Sequence, residues 1–569
     1  MNKKTIIRTL EKIALYLELQ GENPFKVSAF RKAANALETD ERSLDEIDDF
    51  TKIKGIGKGT GAVIVELIQT GESQVLKELE QQVPKGLIPL LKIPGLGGKK
   101  LAKLYQELGV DSAESLKEAC ESKKVRNLPG FGAKTEEKIL KELEQFGVRK
   151  ERLPIWYLEN VVKELEQLLS SIKEVERFSV AGSFRRVNET SKDLDFVIAT
   201  ECPEKVREQL LSQLKIKEIV GSGDTKVSVV LDLDELVSVD FRMVKNVEYV
   251  TTLHHFTGSK DHNVRMRQLA KEQGKKISEY GVEQPDGQIV AFQSEEEFFA
   301  HFGLPFIPPS VRESGQELER LDELKNLVTL NDIKADLHMH TTYSDGAHTV
   351  HEMGEALIQR GYRFGVITDH SQYLKVANGL TPERLKKQWE EIKAFNQAHL
   401  NFTLFAGTEM DILPDGSLDY DDDVLKELDF VIASIHTSFS QPQEKIMERL
   451  FAAIQHPYVH MIAHPTGRII AEREGYQPDV KQLIYWAKEY GKILELNASP
   501  YRLDLCVEHL KLAMELEVPI AINTDAHAID QLAYMEIGIK YAQKAWLKKE
   551  LIVNTWSVEQ FEEFIRKNK

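Results

Sequence analysis

From residue 334 onward the chain repeats one pattern of apolar and polar positions seven times. Short apolar runs end abruptly in polar or metal-capable residues: ADLHMH, FGVITDH, FTLFAGTEMDI, FVIASIHTS, VHMIAHP, ILELNAS and IAINTDAH. Stretches able to form helices separate them. Continuous apolar runs alternating with helices predict buried parallel strands, and polar residues collected at the C-terminal strand ends are the mark of a barrel. The pattern therefore predicts a seven-stranded β/α barrel over residues 334–569.

The first part of the chain has a different period. Residues 1–84 read as four or five short helices; in NPFKVSAFRKAANALE, Phe25, Ala29, Phe30, Ala33 and Leu37 fall at helical spacing and leave Arg31 and Lys32 outside. A unit with two closely spaced glycines before a helix then recurs: IKGIGKGTGAVIVELI with Gly55 and Gly57, IPGLGGKKLAKLY with Gly95 and Gly97, and LPGFGAKTEEKIL with Gly130 and Gly132. These are internal repeats of a helix, hairpin, helix unit. Such a unit aims free N–H groups of a helix N-terminus at a nucleic-acid phosphate without reading bases. Gly59 after Lys58 excludes a Walker loop, which needs Ser or Thr there.

Between these regions, Phe178–Ala181, Phe196–Ala199 and the alternating run Leu236–Val244 predict strands of an α+β domain. The whole is multidomain: an all-α helix-hairpin-helix N-terminal region, an α+β middle and a β/α barrel.

Composition changes this picture in three places. The net charge of -17 is unusual for a nucleic-acid binder, but residues 336–569 hold 24 Lys+Arg against 35 Asp+Glu, and residues 1–335 hold 50 against 56. Most of the acidity thus lies in the barrel, where bound divalent cations would offset part of it, and phosphate binding must be local. Histidine is skewed: none of the 16 precedes His254 and 12 lie at or after His338, so a C-terminal metal site is worth seeking. Cys120, Cys202 and Cys506 are too few and too far apart for a disulfide framework or a CxxC site, and are expected to be inert core thiols of a reducing compartment. With no signal-like start and no run long enough to span a bilayer, the chain is expected to be cytoplasmic, with no membrane partner.

The stretch GSFRRVNETSKDLD, Gly182 to Asp195, carries the first candidate chemistry. Asp193 and Asp195 are two apart at the start of a strand, so their carboxylates converge; Gly182 and Ser183 sit at a turn able to offer N–H groups to phosphate, and Asp240 supplies a third acid. Three converging acids beside such a turn suit two-metal phosphoryl transfer.

GSFRR, DLD, VDFRMV and FTGSKDHN occur in this order, and together they resemble the palm and adjoining subdomain of family X DNA polymerases, the polymerase beta type. The resemblance implies that Asp193, Asp195 and Asp240 hold two Mg or Mn ions, and that Gly182, Ser183 and Arg186 meet the triphosphate. It also implies that Phe256, Gly258, Asn263 and Arg267 surround the incoming nucleotide's sugar and base, with Lys226 near DNA. Val187 stands where a glycine is usual, His255 where a Tyr is common, and Lys260 where an Asp would contact the base. In the N-terminal domain, Lys26 matches a 5'-phosphate contact. Val63 stands where some members carry a Schiff-base lysine, leaving Lys52, Lys54 and Lys58 as alternatives for lyase chemistry.

In the barrel, the strand ends would bring together His338, His340, Asp345, His370, Glu409, His436, His464, Asp525 and His527. Imidazole with carboxylate suits Zn, Mn or Fe, and these N/O ligands are enough for two or three ions. The set resembles the PHP (polymerase and histidinol phosphatase) domain with every family ligand position filled, which implies a catalytic phosphoesterase. Arg468 is a further candidate for holding a substrate phosphate.

The expected domains are 1–84, helical and 5'-end-binding; 85–152, with two further hairpins; 153–247, palm; 248–306, nucleotide selection; 307–333, a linker without catalytic signal; and 334–569, PHP. The combined order resembles bacterial family X polymerases fused to a PHP domain. It implies a monomeric repair polymerase that fills short gaps in DNA bearing a 5'-phosphate, uses deoxynucleoside triphosphates and carries a 3'-5' exonuclease, with abasic-site cleavage and 3'-end cleaning as further expectations. Two other classes fit part of the pattern: a small-molecule phosphoesterase of the histidinol-phosphatase kind, against which the three hairpins speak, and a DNA-end binding scaffold with a vestigial palm, against which the three palm Asp speak.

Overall fold

The computed structural model describes residues 3–567 apart from 41, 43, 45–46, 92, 94 and 146–150. The chain forms two compact units, one of Met1–Arg149 with His340–Val350 and Asp369–Gln388, the other of the remaining residues.

In the first unit, helices Lys3–Leu19 and Pro24–Thr39 pack through Leu10, Ile13 and Leu17 against Phe30, Ala33 and Leu37. The second helix starts where Asn23 Oδ1 accepts the Phe25 N–H at 2.9 Å and Pro24 takes the first helical position. Its buried stripe is Val27, Phe30, Ala33, Ala34 and Leu37, whereas Phe25 is 84% exposed and Ala29 is exposed. The expected stripe was thus rotated: a helix face centred on residues 27, 30 and 34 leaves 25 and 29 on the other side. The three hairpins share one backbone solution. Gly55, Gly95 and Gly130 have φ of +113°, +90° and +92°, a region closed to most side chains. A Cβ added at Gly57, Gly97 or Gly132, at the start of the following helices, would meet nothing within 4 Å, so the backbone there is open to a ligand.

The second unit contains a five-stranded sheet: β1 (Arg177–Val180), β2 (Leu194–Ala199), β3 (Ile216–Ser222), β4 (Lys226–Asp232) and β5 (Leu236–Val244), in the order β1-β2-β5-β4-β3. Only β2 and β5 run parallel; the other neighbours are antiparallel. Helix Ile155–Ser171 covers one face, burying Leu158, Val162, Leu165 and Leu169 with Phe196, Ile198 and Phe241. Helices Tyr249–Thr257 and Lys260–Glu272 follow, with a three-stranded antiparallel sheet, around Leu253, Met266, Phe298 and Phe299. Residues 307–333 form short 3-10 turns folded onto this core. Arg312 is fully buried there, ion-paired to Glu295 and placed 4.9 Å from the Phe299 ring centroid.

Seven parallel strands come next: β6 (Ala335–Asp336), β7 (Phe364–Ile367), β8 (Thr403–Asp411), β9 (Phe430–Ser434), β10 (Met461–Ile462), β11 (Ile493–Asn497) and β12 (Ile520–Asn523). They pair in sequence order, and a parallel bridge between Met339 and Ala526 joins the first strand's end to the last, closing the ring. The expected seven-stranded barrel is present. β7, β9, β11 and β12 are buried throughout, as parallel strands covered on both faces must be. Cys120 is buried as expected, but Cys202 is exposed, because it precedes the surface helix Pro203–Gln213. No helix among the described residues is long and apolar enough to cross a membrane.

Candidate active sites

Asp195 on β2 lies directly opposite Asp240 on β5 in the parallel register, so both carboxylates project from the same face of the sheet. Asp193 precedes the strand by one residue and acts on the same point. Burial, then the Asp193 and Asp240 carboxylates, push the Asp195 carboxyl up to about 7, with Lys226 and Arg186 partly opposing. Lys226 does not reach out toward a ligand; its Nζ lies 2.7 Å from Asp240 Oδ2. A concentrated negative charge with so few cations beside it is what a divalent ion would relieve.

The turn before β2 is built around this cluster. Gly182 has φ +64°, and a Cβ there would overlap the Asp195 carboxylate, so two independent constraints require glycine. Ser183 Oγ donates to Ser191 Oγ at 2.8 Å. Arg186 Nη1 donates to the Thr257 carbonyl at 2.8 Å and its Nε lies 3.0 Å from Glu313 Oε1, which ties the turn to the end of helix Tyr249–Thr257. Gly258 ends that helix, and a Cβ there would crowd His262 and Asn263. Asn263 Nδ2 donates to the carbonyls of His255 (2.7 Å) and Gly258 (3.3 Å), and so braces the turn. Phe256 lies 5.0 Å from the Arg242 guanidinium, and Arg267 is exposed on the next helix. In the first unit, Lys26 is exposed and 3.5 Å from Glu22, while Val63 is buried.

Sequence reasoning passed over two carboxylates at this site. Glu313, in the segment read as a linker, holds Arg186; Glu295 pairs with both Arg185 (2.7 Å) and Arg312. Burial raises the Glu295 carboxyl, but the Arg312 and Arg185 guanidiniums outweigh it and hold it at about 2. Nothing in a linear pattern announces such pairs.

At the barrel, His338 Nε2 faces Glu409 Oε2 at 3.3 Å and Asp525 Oδ1 at 3.5 Å. Glu409 Oε1 is met by His436 Nε2 at 3.1 Å and His464 Nε2 at 2.7 Å. His370 Nε2 lies 3.5 Å from Asp345 Oδ1, with the His340 and His370 rings stacked at 4.3 Å. One unit brings His340, Asp345 and His370 together, and the other brings together His338, Glu409, His436, Asp525 and His527. With His464, these include every barrel residue singled out from the sequence. Expected at strand ends, His338, His340, Asp525 and His527 in fact follow β6 and β12 by a few residues, on either side of the Met339–Ala526 bridge.

The electrostatics suit a cation. Burial lowers His436, but Glu409 and Asp411 outweigh it and push it up to about 10. Burial likewise opposes, and Glu495, Asp525 and Glu409 overcome, to raise His338. Burial and nearby Arg502 lower His464, whose buried Nδ1 has no hydrogen-bond partner among the described residues. An N/O donor set this dense, with an unpartnered imidazole nitrogen, fits divalent metal.

Two orienting carboxylates were missed. Glu495 Oε1 lies 2.7 Å from His338 Nδ1, and Asp411 Oδ1 lies 3.2 Å from His436 Nδ1. Asp411 stood two residues after Glu409 in TEMDI, so the same two-residue strand rule would have found it. Arg468 does not point at a substrate: its Nη2 pairs with Glu189 Oε1 at 2.8 Å and its Nε donates to the Arg502 carbonyl at 2.9 Å. The guanidinium beside the cluster is Arg502, with Nε 3.7 Å from Asp525 Oδ2.

A sheet with three converging carboxylates beside a glycine turn, followed by a barrel ringed with histidine and carboxylate, is the arrangement of a polymerase beta-type chain joined to a PHP domain. Family models agree: helix-hairpin-helix domain over 1–73, SAM-like helix-hairpin-helix tandem over 87–145, DNA polymerase beta thumb over 252–313 and PHP domain over 336–499. The DNA polymerase/3'-5' exonuclease PolX of Bacillus subtilis (strain 168) is 58% identical over 569 residues, covering 100% of both chains, and this chain belongs to the PolX family. The barrel alone is similar to proteins named probable phosphatase: one of Thermoanaerobacter sp. (strain X514), 29% identical over 41% of this chain and 95% of its own length, and one of Caldicellulosiruptor bescii, 30% identical over 41% and 96%.

Proposed function

We propose that this protein is a DNA repair polymerase that fills short gaps and carries a 3'-5' exonuclease in its barrel. The observation that carries the reading is the register pair Asp195 and Asp240 beside Gly182 and Asp193, in a chain that also carries the histidine and carboxylate ligand set of the barrel. Two Mg or Mn ions held by Asp193, Asp195 and Asp240 would supply the Lewis acidity of nucleotidyl transfer, and two or three Mn, Zn or Fe ions held by the nine barrel ligands would supply that of phosphodiester hydrolysis.

The chain's own residues bind and orient. Arg186 offers a planar fork of donors to a triphosphate once it leaves Glu313, beside the Gly182 and Ser183 backbone. The Phe256–Gly258 turn, braced by Asn263, receives the sugar, and Arg267 lies on the helix that follows it. Open backbone at Gly57, Gly97 and Gly132 holds DNA phosphates, positioned by the left-handed Gly55, Gly95 and Gly130, and Lys26 meets the 5'-phosphate of gapped or nicked DNA. At the barrel, Arg502 is placed to hold a phosphodiester oxygen. The protein works as a monomer, in the cytoplasm with its DNA, on deoxynucleoside triphosphates. Abasic-site cleavage and 3'-end cleaning belong to the barrel in this reading.

Asp193→Ala should abolish primer extension and leave shortening of a 5'-labelled primer intact, while His338→Ala should do the reverse. Extension that survived Asp193→Ala would reject the palm assignment.

A further inference from the structure

Val187 is buried with φ +55°, a left-handed conformation that a β-branched residue adopts at a cost. It follows Arg186 in the turn proposed to hold triphosphate, where glycine would be free of that cost. Such a conformation persists only where surrounding contacts over-determine it.

Those contacts come from the barrel. Lys544, on helix Tyr534–Lys544, donates to Asn188 Oδ1 at 2.6 Å and to the Arg186 carbonyl at 3.3 Å, and also pairs with Glu313, the carboxylate that holds the Arg186 side chain. Two residues past Val187, Glu189 receives the Tyr541 hydroxyl and the Arg468 guanidinium, the latter at 2.8 Å. Barrel groups therefore grip the turn on both sides of its strained residue. Within the turn, Asn188 N donates to the Ser183 carbonyl at 3.0 Å, so the grip passes directly to the phosphate-facing residues.

We infer that Lys544, Tyr541 and Arg468 are positioning residues of the polymerase site: the barrel, besides carrying its own chemistry, holds the Arg186–Glu189 turn in shape to receive a triphosphate. The inference rests on the palm reading above. It assigns the barrel a task that does not depend on its metal ligands, and it explains how a valine stands at a glycine position.

The test uses the full-length protein and single-nucleotide extension with titrated deoxynucleotide. Lys544→Met keeps most of the unbranched side chain and removes its charged Nζ. It should raise KM for the nucleotide on the order of tenfold with a smaller change in kcat, and leave the nuclease rate on the same DNA unchanged. Adding Val187→Gly to Lys544→Met should restore KM, because glycine holds the turn without the grip. Glu189→Gln, with and without Val187→Gly, repeats the test at the other contact and serves if Lys544→Met folds poorly. Wild-type KM in both single variants would overturn the inference, as would a loss that Val187→Gly does not restore. Failure of the wild-type protein to extend at all would instead remove the palm reading on which it stands.

Discussion

Glu495 Oε1 sits 2.7 Å from Nδ1 of His338, whose other ring nitrogen faces Glu409 and Asp525. A carboxylate only accepts, so Nδ1 carries the proton and Nε2 is left to bind metal, the usual way a buried carboxylate fixes a ligand histidine. Glu495→Gln should therefore lower metal affinity and nuclease rate by roughly ten- to a hundredfold. Primer extension in the same preparation should stay at the wild-type rate. Unchanged nuclease would show that the Glu495 charge has no part in orienting His338.

Gly182 tests the palm from the backbone side. Gly182→Ala puts a methyl into the Asp195 carboxylate at a φ of +64°. Displacing that carboxylate should cut extension by about a hundredfold or more, with the nuclease spared. Gly303→Ala, at a comparable φ of +75° where an added Cβ meets nothing within 4 Å, serves as the control for strain alone. Equal extension by the two variants would mean that the overlap with Asp195 is irrelevant.

Glu295 ties stability to pH. Its carboxyl is held at about 2 in the folded protein against an ordinary value of 4.5. A depressed carboxyl contributes stability that is full above the unfolded value and is lost as pH falls through the folded one. The contribution is about 3 kcal/mol at most. Glu295→Gln leaves the buried Arg312 short of its counter-charge and should destabilise the protein near neutral pH. The gap to wild type in urea midpoints should narrow as pH drops from about 5 toward 3. A gap that is constant over this range would contradict the ion-pair account.

Much of this was legible in the chain. Periodicity alone carries the barrel, because seven buried parallel strands leave seven continuous apolar runs. Strand spacing and family resemblance single out Asp193, Asp195 and Asp240, and the β2–β5 register sets the last two side by side. What stayed hidden depends on long-range partners. Arg468 looked like a phosphate ligand from its nearness in sequence to His464, yet its partner Glu189 lies 279 residues away. Glu313 sits in a segment without apolar period, and only folding brings it to Arg186. Phe25 and Ala29 were misplaced because helical spacing fits two overlapping stripes, and packing chose the one through Val27 and Phe30.

The hairpins give a prediction for binding. If the open backbone at Gly57, Gly97 and Gly132 meets phosphates, replacing one of these glycines by Asp should weaken binding to gapped DNA and reduce the slope of log affinity against log salt. Fluorescence anisotropy across a salt series would measure both. Unaltered affinity in all three variants would remove the hairpins from the DNA interface.

The most direct measurement of the central claim is a time course on a 5'-labelled primer in a short-gapped duplex with Mn, run with and without deoxynucleotides on wild type, Asp193→Ala and His338→Ala. The account predicts lengthening with nucleotides and shortening without them in wild type, loss of lengthening alone in Asp193→Ala, and loss of shortening alone in His338→Ala. Shortening without lengthening in the wild type would contradict it, leaving a barrel nuclease beside a palm that does not polymerise.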